Sequence, residues 1–185
     1  MHRSVRTLVA VSLLPMLALV ALAGCAKSSS DDVSLADAKT AYAAVSTFSG
    51  YANPQEWPAS WGSTETAVSP TEYTFISPDG TFSLDLISDV SLHASPSIYP
   101  QHRTYTLVGK NLAITGSGYT ITGTIVSKLT FGSSGPTSLE STTIDVVLSG
   151  GAVSKVTGSV SSADMATYSG TVTFDGTNFS VAQLM

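Results

Sequence analysis

The chain has a single cysteine, Cys25, so it can form no internal disulfide. Charge is also scarce. Asp, Glu, Lys and Arg make up 11% of its 185 residues, against about 25% in ordinary soluble domains; Ser, Thr and Gly supply the polarity instead. Past position 30 no apolar run approaches the ~20 residues that a membrane-spanning helix requires. Of eight cations, Arg3 and Arg6 precede Cys25, which leaves six against 13 acidic residues, a net charge of −7. The six (Lys27, Lys39, Arg103, Lys110, Lys128 and Lys155) are dispersed along the chain. Binding nucleic acid takes clustered cations that displace counterions from phosphates. The pattern argues against nucleic acid as a partner, and against a bare anionic lipid surface.

Signatures of catalysis are missing too. The nucleophile elbow G-x-S-x-G is absent, and "GSSG" (132–135) lacks its spacing. No Ser stands at S-x-x-K spacing from a Lys, and there is no P-loop, G-x-G-x-x-G, H-E-x-x-H or calcium loop. His93 shares a strand face with Asp89 and Asp85, but residues four apart on a strand lie ~13 Å apart, too far to hold one ion. His102, beside Arg103, reads as part of a Pro-flanked turn, "SPSIYPQHR". Both histidines read as solvated surface residues. Asp85, Asp89, Asp145 and Asp175 are the carboxylates that could pair for acid–base chemistry, and each is also an ordinary wet-face or turn residue. The sequon "NFS" (178–180) is a short match that carries little weight. No catalytic residue, metal ligand or cofactor is assigned, and the chain is expected not to be an enzyme.

What is present begins at the N-terminus. "MHRSVRT" is followed by "LVAVSLLPMLALVALAG" and then Cys25. A basic segment followed by an apolar one is the form of a secretory signal. "LAGC" (Leu22, Ala23, Gly24, Cys25) resembles the lipobox of bacterial prolipoproteins, a resemblance confined to about the first 25 residues. It implies cleavage before Cys25, acylation of its thiol and usually of the new amino terminus. A stable anchor takes more than one acyl chain, at ~0.8 kcal/mol per buried CH₂. Ala26 lacks the acidic character that favours inner-membrane retention in enterobacterial lipoproteins, so the resemblance implies outer-membrane sorting in a cell that has one. The alternatives are an uncleaved helix over 8–24, which is short and carries Pro15, or a secreted protein with a stray cysteine.

The expected organisation is a signal peptide over 1–24, an acylated cysteine and flexible tether over 25–33, and one β-rich domain over 34–185. Ser34 as N-cap, Asp37 three residues on, and Leu35, Ala38, Tyr42, Val45 and Phe48 at helical spacing predict a helix over 34–48 that ends at Gly50 and docks on a sheet. "GYANPQEWPASWGSTET" (50–66) excludes a regular element through Pro54 and Pro58. Its Trp57 and Trp61 either offer a ligand or partner a stacking platform or plug one end of the core; the plug is the commoner role of such residues.

From Val68 the period changes to two. Phe82, Leu84, Leu86, Val90 and Leu92 share one face. So do Tyr119, Ile121, Ile125, Leu129 and Phe131, while Thr dominates the opposite side. Turn signals at "PDG", "GKN", "GSG", "SGG" and "DGT" separate seven to nine strands, and short connections make the neighbours antiparallel. The fold class is mainly β: an up-and-down meander forming a curved sheet or a barrel, with one N-terminal helix packed against it. The functional expectation is a lipid-anchored envelope protein that binds a small apolar ligand or an envelope partner. The alternative is a structural or surface-interaction protein acting through the Trp57/Trp61 loop or the Thr-rich face.

Overall fold

The computed structural model describes residues 32–61, 66–90 and 99–185. Leu22, Ala23, Gly24, Cys25 and His93 lie outside the described residues, as does the end of the stretch predicted to continue through Val90 and Leu92.

Helix α1 (Leu35–Gly50) starts where its cap predicts. Ser34 Oγ accepts the Asp37 backbone N–H at 3.1 Å and donates to the Asp37 carboxylate at 2.7 Å. The end differs from expectation. Gly50 is the last helical residue, and Tyr51 caps in a right-handed conformation, its N–H on the Phe48 carbonyl. The buried stripe is Ala38, Ala41, Ala44, Val45 and Phe48. Leu35, expected within it, is instead 44% exposed. Two 3₁₀ turns follow, Pro54–Glu56 and Ala59–Trp61.

The sheet comprises β1 (Thr66–Ser69), β2 (Glu72–Ile76), β3 (Phe82–Ser88), β4 (Gln101–Ala113), β5 (Thr120–Gly132), β6 (Gly135–Ser149), β7 (Lys155–Ser162), β8 (Ser169–Phe174) and β9 (Thr177–Ser180). Each strand pairs antiparallel with the next, in chain order. The meander is open: β1 and β9 are its edges. A one-turn helix, α2 (Val181–Leu184), ends the chain, packs on α1 and buries Val181 and Leu184.

Burial alternates as the sequence pattern requires. The inner face carries Phe82 and Leu84 from β3, Tyr105 and Leu107 from β4, Ile121 and Ile125 from β5, Ile144, Val146 and Leu148 from β6, and Val172 and Phe174 from β8. With α1 these make one core. All of that core falls within 32–185, which forms a compact unit by itself. Its first residues are tied in, since the Val33 N–H donates to Thr177 Oγ1 on β9 at 3.2 Å.

Two turn assignments are corrected. "GKN" (109–111) is a bulge inside β4. Gly109 faces Gly123, the next pair is Leu112–Ile121, and Asn111 takes φ +55°. The Asn111 N–H donates to Thr122 Oγ1 at 3.0 Å, and that hydroxyl donates back to Asn111 Oδ1. Turn and bulge use the same left-handed residue, so the tripeptide alone does not separate them. Likewise His102 and Arg103 belong to β4 rather than to a turn, paired with Thr130 and Leu129.

Gly123 lies opposite Gly109 with φ +136°, and a Cβ there would stand 2.4 Å from the Asp145 carbonyl oxygen. At Gly109 an added Cβ would meet the Phe48 ring at 3.4 Å. The close approach that the two glycines permit is between strands, since a Cβ at Gly109 would also stand 2.9 Å from the Ile121 carbonyl oxygen. Among the described residues no helix is long and apolar enough to cross a membrane.

Candidate ligand cleft

Residues 51–61 carry the two indoles into the core. Trp57 and Trp61 are only 8% and 9% exposed. Trp57 stacks on Phe75 (3.8 Å between ring centroids), and Trp61 on Phe82 (4.9 Å). Tyr51 meets Trp61 edge-on, and Trp57 Nε1 donates to the Tyr51 carbonyl at 2.8 Å. A stacking platform needs a free ring face, and Phe75 and Phe82 occupy one face of each indole. The loop closes one end of the core, and only Trp57 also borders an open depression, with Glu56, Pro58 and Thr115.

Among the described residues the candidate titratable groups do not assemble. His102 Nδ1 lies 2.9 Å from Glu140 Oε1 on the outer face, both side chains about half exposed. Asp85 accepts Thr74 Oγ1 at 2.8 Å, and Asp89 accepts the His102 backbone N–H at 2.9 Å. Asp175 accepts the Ser154 and Lys155 backbone N–H groups, fastening the β8–β9 turn to β7. Asp145 stands opposite Thr124 and Thr157 on the outer face. Asp85 and Asp145 are three strands apart, or roughly 14 Å at ~4.8 Å per strand, beyond the span of a carboxylate pair. Among the described residues no three of His, Cys, Asp and Glu gather as a metal-binding set.

The concave chemistry lies beside α1. A cleft of about 530 Å³ runs between the C-terminal end of α1 and the inner face of the sheet. Ser49, Gly50, Ala52 and Asn53 form one wall; Arg103, Tyr105, Leu129, Phe131 and Pro136 form the other. Adjoining it along the helix, a smaller recess of about 150 Å³ is lined by Tyr42, Val45, Ile125, Leu139, Ile144, Val160 and Tyr168. Ser49 lines both, and Leu129 of the cleft is paired in register with Leu139 of the recess. Burial pushes the Tyr42 phenol above its ordinary range, offset in part by a hydrogen bond with Ser46, so it stays neutral at physiological pH.

Arg103 is the one cation among the cleft's wall residues. Strand parity places it on the same face as Tyr105 and Leu107. One Nη donates to Gln101 Oε1 at 2.9 Å, and the guanidinium carbon lies 4.5 Å from the Phe131 ring centroid. Its Nε is buried and has no hydrogen-bond partner among the described residues; no carboxylate there pairs with it. A cation–π contact contributes about 0.5–2 kcal/mol, whereas a hydrogen bond to a charged group contributes about 1.5–3 kcal/mol. The guanidinium is thus held by Gln101 and Phe131 without a described counter-charge.

In the sequence Arg103 was one of six scattered cations. The signal that could have singled it out is its alternation with Tyr105, Leu107 and Gly109, which puts it in phase with the buried face. No protein-family model matches the chain, and no curated protein or solved structure is significantly similar to it.

Proposed function

We propose that the protein is a non-enzymatic lipoprotein of the bacterial cell envelope. Acyl chains on Cys25 hold it at the membrane, at the outer one in a two-membrane cell. The β domain binds a small apolar ligand between α1 and the inner face of its sheet. The observation that carries the binding role is the cleft: its walls are mostly apolar and backbone, it carries no paired carboxylates or nucleophile–base pair, and its volume falls within the ~300–1,000 Å³ of small-molecule sites. The "LAGC" sequence supports the tether.

Two measurements test this reading. A clickable fatty acid fed to the host should label the wild-type protein and leave Cys25→Ala unlabelled; equal labelling of both removes the anchor. Native mass spectrometry of the domain from Ser30 onward, purified from its host, should show a co-purifying small molecule, and a clean apo mass counts against ligand binding. A structural or surface-interaction role is the second reading. It is favoured by Ile76, Ile87 and Val147, which are 64%, 52% and 52% exposed, and by the two open sheet edges.

A further inference from the structure

We infer that the cleft beside α1 takes a free anionic amphiphile, a fatty-acid-like molecule. Its carboxylate sits on Arg103, and its aliphatic tail lies along Tyr105, Leu129 and Phe131. This deepens, and rests on, the ligand-binding reading above.

The argument is one of charge complementarity inside an apolar recess. A guanidinium presents five donors in a planar fork that matches a carboxylate. In this chain one of those donors goes to Gln101 and Nε is buried within the protein, which leaves the rest of the fork to a ligand in the cleft. A neutral ligand filling the cleft would strip water from a cation and return no counter-charge, which is costly. A cationic ligand would meet repulsion. An anion completes the set.

The rest of the domain favours this site over its own surface. At −7 the mature chain repels anions generally, and Arg103 is the cation that lines this largely apolar cleft, where a bound carboxylate is shielded from competing water. The tail has matching company in Leu129, Phe131, Pro136 and Ala52. Beyond the Leu129–Leu139 pair the second recess offers Ile125, Ile144 and Val160 to further methylenes.

The test is a titration of the domain from Ser30 onward with cis-parinaric acid, a fluorescent polyene fatty acid, and with its methyl ester. The domain contains the whole core described above. The acid should bind about 10- to 100-fold more tightly than the ester, the range that one charge-assisted hydrogen bond or two would give. Arg103→Gln should lower acid affinity to that of the ester while the near-ultraviolet circular dichroism of the Trp57/Trp61 cluster stays unchanged. The wild-type comparison stands without any variant, so a poorly folded Arg103→Gln does not spare the inference.

Equal affinity for acid and ester overturns the role of Arg103 and leaves ligand binding intact. If neither probe binds but a molecule co-purifies from the host, the amphiphile class is wrong and the binding reading survives. If neither binds and nothing co-purifies, both fall. Co-sedimentation with phosphatidylglycerol vesicles but not phosphatidylcholine vesicles, lost in Arg103→Gln, would place the anion on a bilayer headgroup and overturn the free-acid assignment.

Discussion

Trp61 lies nearly parallel to Phe82, their planes 14° apart and their centroids separated by 4.9 Å. Phe82 is 1% exposed and also meets Phe48 of α1 edge-on. The pair thus joins the loop after α1 to both the helix and β3. Trp61→Ala should destabilise the domain by about 3–5 kcal/mol, as large aromatic truncations in cores do. Trp57→Phe keeps most of the stacking on Phe75 but strands the buried Tyr51 carbonyl, at a cost of about 1–3 kcal/mol. Urea unfolding followed by far-ultraviolet circular dichroism measures both. A loss under 1 kcal/mol for Trp61→Ala would mean the indole is not a core residue.

Gly123→Ala should cost about 2 kcal/mol or more, because the new methyl meets the Asp145 carbonyl at 2.4 Å and the backbone sits at φ +136°. Gly80→Ala is the control. It also has positive φ, +70°, but nothing stands within 4 Å of its added Cβ, so only the backbone term of about 1–2 kcal/mol applies. Melting temperatures of the two variants should separate in that order.

Acid should weaken the domain through two loop carboxylates. Hydrogen bonds from Ser77 and Thr81 hold Asp79 below its ordinary value of 3.8. The Thr167 and Ala166 backbone N–H groups do the same for Asp164. Because the folded-state values are lowered, their contribution is complete above the ordinary carboxylate range and disappears as pH falls from about 4 through the folded values. Urea midpoints should therefore drop between pH 5 and pH 2, and Asp79→Asn with Asp164→Asn should flatten that drop. An unchanged slope in the double variant would show that these loops do not sense pH.

Much of the architecture could be read from alternation alone, as β3 and β5 show. Phe82 and Leu84, and Ile121 and Ile125, point inward because side chains on a strand change sides at every residue. Where reading failed, a local signal had two structural uses. Gly109, Lys110 and Asn111 spell a hairpin turn and form a bulge, because both need one left-handed residue; only the partner strand decides. Pro96 and Pro100 suggested a turn around His102 and Arg103, yet the strand starts at Gln101, immediately after the second proline. Trp57 and Trp61 carried both a binding and a packing reading, and pairing with Phe75 and Phe82 across more than a dozen residues of chain separates them. Arg103 was hidden for a related reason. A lone cation gains meaning only when tertiary structure shows that it lines an apolar cleft.

The hydrogen bond from the Val33 N–H to Thr177 makes the point of entry into the domain a shared one. Any pull arriving from the N-terminal side reaches that bond first and α1 immediately after it. At its far end, near Gly50, the helix that receives such a pull forms one wall of the cleft containing Arg103. The chain's entry into the domain and one wall of the cleft therefore belong to a single element.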